Sequence, residues 1–517
     1  MTHGQARRVA EQIVAGAPAG WTGAVLDSTA GQGGVSVAGS YAVPGATAWA
    51  HAVPSLFGEL TAVAQAVRAE RGWERTSLEF AVRPSGEFTM VAFHDAVTSL
   101  RGRDGGFEAV LDPDARLPEP GDDQPGSTAA PAGDADLAAA RFRAYLERRA
   151  AILGRREPLP PPAPSIAEAE RRIGLPLPAD LRALYEIADG DAIDYSPGYL
   201  LAGNTWLSAE TAAAIHEDQR QPVWHGWELG WDWVVFDADP PETVRRCGGH
   251  PGWIPFGSGE DGNYLAVDLA PARNGRPGQV IRVGRDYDQG PEYVAESVTA
   301  LLGLYLEQLD KGDHEIHDGH LYLQEPVSRF GPERVVGEIP DQIPPRLQAL
   351  HVNDAASPVD LAPLRAAPDL RLLHLNRCAT ADLGPVRDLP VNSLRATLTG
   401  DADLAPLRGH RDLTALDLAS AAPVSIAPLR DVPNLYGLDL SGADVADPHV
   451  LADLPGLRYL ALTAAQWTAV LDAGQAPPAL AAACLAGEET TLEQALAWAA
   501  RLGLDTGDAI RITGTVG

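Results

Sequence analysis

The chain has 517 residues, 45% of them hydrophobic, and a formal net charge of −30, which sets an expectation of about three domains with real cores and argues against wholesale disorder. So acidic a surface repels nucleic acid and anionic membranes and attracts basic partners, unless the charge serves solubility alone. No run approaches the ~18 apolar residues of a membrane span, and three scattered cysteines (Cys247, Cys378, Cys484) with no secretory pattern at the start fit a reducing cytoplasm.

Residues 1–111 read as one α+β unit. A helix over Ala6–Ala15 leads through Trp21 into an extended run. A turn at Gly31–Gly34 opens the alternating strand VSVAGSYAV, and Leu56, Leu60, Val63, Ala64 and Val67 recur at helical spacing. SLEFAVRPSGEFTMVAFH, Ser77–His94, is a β-hairpin about Pro84-Ser85-Gly86. This order, with Trp21 opening the first strand and Gly86-Glu87-Phe88 at the hairpin, resembles the YezG-like bacterial immunity proteins.

Residues 112–136, rich in Pro, Gly, Asp and Ala, hold too little apolar surface to offset their ordering entropy and are expected to be a disordered linker. A helix over about Leu137–Leu153 follows, then PLPPPAP (Pro158–Pro164), a polyproline II stretch that is either a spacer or a ligand for proline-reading domains.

The central domain, with its leading helix and Pro-rich spacer, is assigned to 137–310. Ser165 and Glu168 have capping-box spacing. PADLRALYEIADG buries Leu181, Leu184, Tyr185 and Ala188 and stops at Gly190. From Ser165 to Asp310 there are 24 Asp and Glu against 10 Arg. The LPLP break between two helices, the WIPFG strand start, GNYLAVD and the closing VAESVTALLGLYLEQL are similar to the SUKH superfamily. That fold is shared by fungal cell-wall-synthesis regulators and bacterial toxin-immunity proteins. The resemblance implies a binding domain that blocks toxins, often nucleases.

A polar connector (311–345) precedes a repeat. L-x-x-L-x-L segments begin at Leu347, Leu370, Leu413, Leu435 and Leu457, with a degenerate copy at Leu394. Between them lie LAPL, LGPV, LAPL and IAPL at Leu361, Leu383, Leu404 and Ile426. A period of 19 to 24 residues is leucine-rich-repeat spacing; single units cannot bury their leucines, so stacking must build the core and leave a strand face to solvent. Repeats are assigned to 346–465, and residues 466–517, with a helix near Leu492–Leu502 and a last strand IRITG, to a cap. The fold class expected is multidomain α+β: an N-terminal α+β domain, a SUKH-like α+β centre and a C-terminal leucine-rich-repeat α/β solenoid.

Few residues suggest chemistry. Gly257-Ser258-Gly259-Glu260-Asp261-Gly262 matches G-x-G-x-x-G, but a strand follows where a dinucleotide site needs a helix, and two carboxylates sit where phosphates would go. His314, His317 and His320 could align imidazoles for zinc on a helix, yet Gly312 and Gly319 argue against one. No Walker loop, Ser-His-Asp or Cys-His arrangement is legible, and no cofactor is expected. Six tryptophans between Trp206 and Trp253 fill a core or anchor an interface. Asp189, Asp191, Asp194, Glu260 and Asp261 fall in two loops, with Trp253 opening the WIPFG strand. They are turn chemistry, or a surface for the Arg and Lys of a basic toxin. The expectation is a non-enzymatic cytoplasmic protein-binding protein, acting as an immunity protein. The other reading is an intracellular scaffold or regulator that recognises partners through its repeats.

Overall fold

The computed structural model describes residues 2–517 apart from 32–33, 45–50, 54–55, 74–75, 95–100, 104–105, 113–114, 117, 119–120, 122, 192–198, 220–230, 288, 324–332, 488–489, 491 and 507–508.

At the N-terminus α1 (Thr2–Ala15) and α2 (Phe57–Arg71) pack on an antiparallel sheet of β1 (Gly23–Gly31), β2 (Gly34–Ala42), β3 (Thr76–Val82) and β4 (Glu87–His94), in the order β2-β1-β3-β4. Leu60, Val63, Ala64 and Val67 of α2 are buried as their spacing requires, and the β3–β4 hairpin turns at Gly86, whose φ is +81°. A second hairpin, β5 (Arg101–Arg103) and β6 (Gly106–Val110), leaves this sheet for another described below.

Part of 112–136, expected from its composition to be a disordered linker, is tied to the central domain at Gly121, Gln124 and Ser127. Arg245 Nη1 donates to the Gly121 and Gln124 carbonyls (2.8 and 2.7 Å), Gly121 N–H donates to Arg246 O (3.0 Å), and Ser127 Oγ donates to Gly275 O (2.6 Å). Backbone hydrogen bonds to the central domain supply what apolar burial could not. The segment ends at Asp134, whose carboxylate caps α3 (Ala135–Leu153) by accepting the Leu137 N–H.

In the centre, α3, α4 (Ile166–Ile173), α5 (Ala179–Tyr185), α6 (Ala209–Gln219) and a later helix, α7 (Val298–Lys311), accompany a five-stranded antiparallel sheet and pack on one of its faces. Its strands are β7 (Thr205–Trp206), β8 (Trp253–Ser258), β9 (Asn263–Asp268), β10 (Gln279–Gly284) and β11 (Glu292–Ala295), in the order β11-β10-β9-β8-β7. Ile254, Phe256, Leu265, Val267 and Val280 face the helices; Trp253, Ala266, Ile281 and Val283 face the segment carrying Ala238, Val244 and Cys247. Both apolar faces are covered. Ser165 Oγ accepts the Glu168 N–H (3.2 Å), while Glu168 itself turns to Arg171. The Pro-rich stretch lies on the core as well: Ala163 N–H donates to Tyr185 O, and Pro161 O accepts the Asp189 N–H.

A short hairpin, β12 (His314–His317) with β13 (His320–Leu323), precedes a ten-stranded sheet. That sheet begins β14 (Glu333–Gly337), β15 (Leu347–Asn353), β16 (Leu372–Cys378), β17 (Ser393–Leu398), β18 (Ala415–Ala419), β19 (Gly437–Gly442) and β20 (Tyr459–Thr463), each parallel to the next. Leu350, Leu373, Leu394, Leu416, Leu438 and Leu460 stand in cross-strand register and are fully buried, so the degenerate copy at Leu394 keeps its place in the ladder. The A-P-L segments and their G-P-V counterpart are 3₁₀ turns, three of these turns opened by an aspartate two residues before (Asp360, Asp382, Asp403) that accepts a backbone N–H. Part of the acidic composition is turn chemistry.

The end of the array, expected to be a cap, also pairs with the N-terminal region. After α8 (Ala464–Asp472), β21 (Ala482–Ala486) pairs with β20 on one side and, antiparallel, with β6 of the N-terminal region on the other. α9 (Leu492–Arg501) covers the end, Trp498 lying 5.7 Å from Trp467. The last strand, β22 (Ile510–Thr515), then joins the N-terminal sheet as an antiparallel neighbour of β4. The two ends of the chain thus exchange strands.

Candidate interaction surface

The residues expected to contact a partner separate into two groups. Asp191 is only 5% exposed; its two oxygens accept the Leu200 and Trp206 N–H groups, both at 2.6 Å. Burial pushes its carboxyl up to about 7, against the pull of those two hydrogen bonds. It clamps backbone and offers nothing to a partner. Asp189 caps α6 through the Ala209 N–H (2.8 Å). Trp253, 4% exposed, is core. Asp194 lies outside the described residues.

Glu260 and Asp261 are exposed on the β8–β9 turn. Glu260 (φ +65°) and Gly262 (φ +91°) make the left-handed bend, and Asp261 Oδ1 accepts the Asn263 N–H (2.9 Å), which holds its carboxylate below the usual range. The G-x-G-x-x-G match is therefore a hairpin turn between two strands. Asn263 exchanges hydrogen bonds with Asp286 (2.8 and 2.9 Å), bringing the β10–β11 turn alongside. Asp218, exposed at the end of α6, completes the group: after burial, the charges of Asp218, Glu260 and Asp261 raise the phenol of Tyr264 between them. Asp218 and Asp286 carry no mark in the sequence that ties them to this turn. Their signal is strand register, which residue spacing does not carry. Arg285, exposed, and Arg282, whose charge also lowers Asp261, are counter-charges at this edge.

The strand face of the repeats, expected to lie open, is partly occupied by the chain itself. Trp231 stacks on Tyr459 with ring centroids 4.9 Å apart and 3° between planes. Asp237 N–H donates to Gln348 Oε1 (2.8 Å), and Gln348 Nε2 returns a bond to Asp237 O (3.0 Å). Between them Arg395 reaches Asp417 (2.6 Å) and Asp232 (3.5 Å). Burial, and then Asp439, pushes the Asp417 carboxyl up to about 6. His351 and His374 meet edge to face at 4.7 Å; burial, and then the charge of Arg395, holds His374 down to about 3.

The histidine triad does not converge as a helix would have it. His317 and His320 are cross-strand partners in the β12–β13 hairpin; His314, an odd number of residues from His317, points to the opposite face. Among the described residues no group of three or more His, Cys, Asp and Glu could hold a metal ion, and no helix is long and apolar enough to cross a membrane.

Residues 160–303 match the SMI1 / KNR4 family (SUKH-1). The centre of the chain carries an SMI1/KNR4 domain. It is 41% identical over 83 residues to a KNR4/SMI1 homolog of Yarrowia lipolytica (16% of this chain, 12% of that one). A glucan synthesis regulatory protein of Neurospora crassa is 43% identical over 76 residues (15% and 14%). The cell wall biosynthesis/cell cycle regulator smi1 of Schizosaccharomyces pombe is 33% identical over 143 residues (26% and 28%). The chain spans less than a third of the length of these relatives. An internalin of Listeria monocytogenes aligns at 22% identity over 25% of this chain and 41% of its own, with a TM-score of 0.22. That likeness carries no argument; the repeat architecture stands on its strand register. The YezG-like resemblance of the N-terminus has no counterpart among these matches.

Proposed function

We infer that the protein works by binding another protein, and that the acidic edge of its SMI1/KNR4 domain is the contact. One observation carries this. Both apolar faces of the central sheet are covered, and Asp218, Glu260, Asp261 and Asp286 gather from three elements at one end of it. Such an edge selects a basic partner and speeds its capture by electrostatic steering. The finer reading is immunity: neutralisation of a basic, nuclease-type toxin domain by occlusion, inside the cell. Regulation of a cellular partner is the second reading, favoured by the relatives' names as regulators of glucan and cell wall synthesis. In either case the repeats brace the domain more than they offer a free second surface, since Trp231 and Asp237 already engage them.

The test is co-expression of the full chain with basic toxin domains, followed by association kinetics at low and high salt with any that it silences. Rescue with a salt-sensitive association rate supports immunity. Stable complexes with a non-toxic cellular protein, without rescue, favour regulation. An association rate indifferent to salt would remove the acidic edge from the account.

A further inference from the structure

We propose that residues 231–237 are a displaceable strap over the repeats, and that the row beneath them is a docking track for an extended segment of a partner protein. That segment would repeat the strap's own order: an aromatic ring, a carboxylate next to it, and two apolar side chains further on. The site is separate from the acidic edge and does not depend on it. Strand register defines the track. Ala349, Leu372, Ser393, Ala415, Gly437 and Tyr459 are successive cross-strand neighbours on β15–β20. Each stands one position before a leucine of the ladder and so faces away from the leucine core. All six are nevertheless buried. Something covers this face.

The cover runs along the row, from its last strand to its first. Trp231 stacks on Tyr459 (4.9 Å) and closes over Gly437. Asp232 reaches Arg395 (3.5 Å) on β17, and Val234 and Phe236 pack with Ala349 and Leu372. The Gln348 amide then clasps both backbone groups of Asp237, at 2.8 and 3.0 Å. At ~4.8 Å per strand the two ends lie about 22 Å apart, which six steps of chain cover only when nearly extended. The repeats thus already hold an extended segment laid across them. The ladder bonds of β15–β20 join those strands to one another, so the strap sits through side chains in separate seats. Its release strands no buried charge: Arg395 keeps Asp417 at 2.6 Å, and the Arg395 and Asp232 side chains are 35% and 32% exposed.

The full chain tests this, with the synthetic peptide of residues 231–239 as the probe and a scrambled peptide of the same composition beside it. W231A/D232A loosens the strap and leaves the track intact. It should bind the probe at least about tenfold more tightly than the parent does, and should ignore the scrambled peptide. Adding R395E should cancel that gain. Equal affinity in parent and variant, or binding of the scrambled peptide, would overturn the track. A parent chain that dimerises with rising concentration, and stops doing so in W231A/D232A, would assign the track to the strap of a second copy and overturn the partner. If the variant does not fold, hydrogen exchange in the parent decides. Amides of residues 233–237 that open at least about tenfold more readily than those of Leu373, Leu394 and Leu416 support a displaceable strap. Exchange of both sets only together would make the segment a fixed part of the core and refute the proposal.

Discussion

Trp231 of the central region and Tyr459 of the last strand of the leucine ladder lie flat against each other, 4.9 Å apart and 3° from parallel. The contact is shaped on both sides: a Cβ on Gly437, the neighbour of Tyr459 in the ladder, would come within 2.7 Å of the Trp231 ring. Trp231 is 5% exposed, so W231A should cost about 3 kcal/mol. The loss should fall on docking, not on either core. Hydrogen exchange should rise around residues 231–237 and along the facing strands, with the SMI1/KNR4 core unchanged. G437V should reproduce the pattern from the repeat side. Uniform exchange throughout the chain would mean that the stacked pair braces nothing.

The strand exchange between the chain ends makes a second prediction. Gly86 N–H bonds within its own turn, Val516 N–H donates to Gly86 O (2.9 Å), and a Cβ on Gly86 would lie 2.0 Å from the Val516 carbonyl. G86A meets both this clash and a φ of +81°, and should lose at least about 2 kcal/mol. Removing residues 509–517 should act alike, unpairing β4 from Glu87 to Ala92 and leaving an open edge prone to self-association. Size-exclusion profiles and exchange rates over residues 87–92 check both. A truncated chain as monomeric and protected as the parent would show the last strand to be dispensable.

Much of this architecture was legible in advance, and the gaps have a common cause. The leucine ladder reads directly because each L-x-x-L-x-L run states its own strand and its own buried face. The helix N-caps at Ser165 and the turn at Gly86 are local for the same reason. What failed is non-local. Nothing in IRITG says that its partner lies more than 400 residues earlier, and the composition of 112–136 does not reveal that Arg245 will hold its carbonyls. In the candidate site, Asp191 and Asp261 look alike as loop aspartates. Only the folded chain shows one clamping two buried amides and the other facing water.

Asp191 yields a pH prediction. Its carboxyl is raised to about 7 from an ordinary 3.8. The folded state therefore holds a proton that the unfolded state has released, and stability attributable to this group falls as pH rises from about 4 to about 7. D191N removes the titration. The stability difference between parent and D191N should shrink over that window, by up to about 4 kcal/mol. Urea unfolding of both chains at pH 4.5, 6 and 7.5 measures it. A constant difference would mean that the carboxyl stays ionised while buried.

His374 runs the other way. It is held at about 3, from an ordinary 6.5, by burial and then by Arg395, His351 and Arg334. The unfolded state takes up the proton first, so stability falls as pH drops from about 6.5 towards 3. Asp417 and Asp232, bound to Arg395, are the carboxylates facing it across that arginine. H374F should flatten the acid limb and leave stability at pH 8 within about 1 kcal/mol of the parent. An acid limb unaltered in H374F would assign the loss to other groups.

The acidic edge makes the last prediction, and separates it from the bulk charge of −30. Glu260, Asp261 and Asp218 are exposed; Asp261 accepts the Asn263 N–H and feels the charge of Arg282, and all three act on the Tyr264 phenol. Reversing them should leave folding intact. E260K and D218K should each slow association with a basic partner, and the double variant should slow it further while flattening its salt dependence. Dissociation rates should change little, because rim charges act on encounter more than on the formed complex. E168K serves as the control: it reverses another exposed charge, one that sits beside Arg171 on α4. If E168K slows association as much as E260K does, net charge does the steering, and the edge at Glu260 and Asp261 has no special part in it.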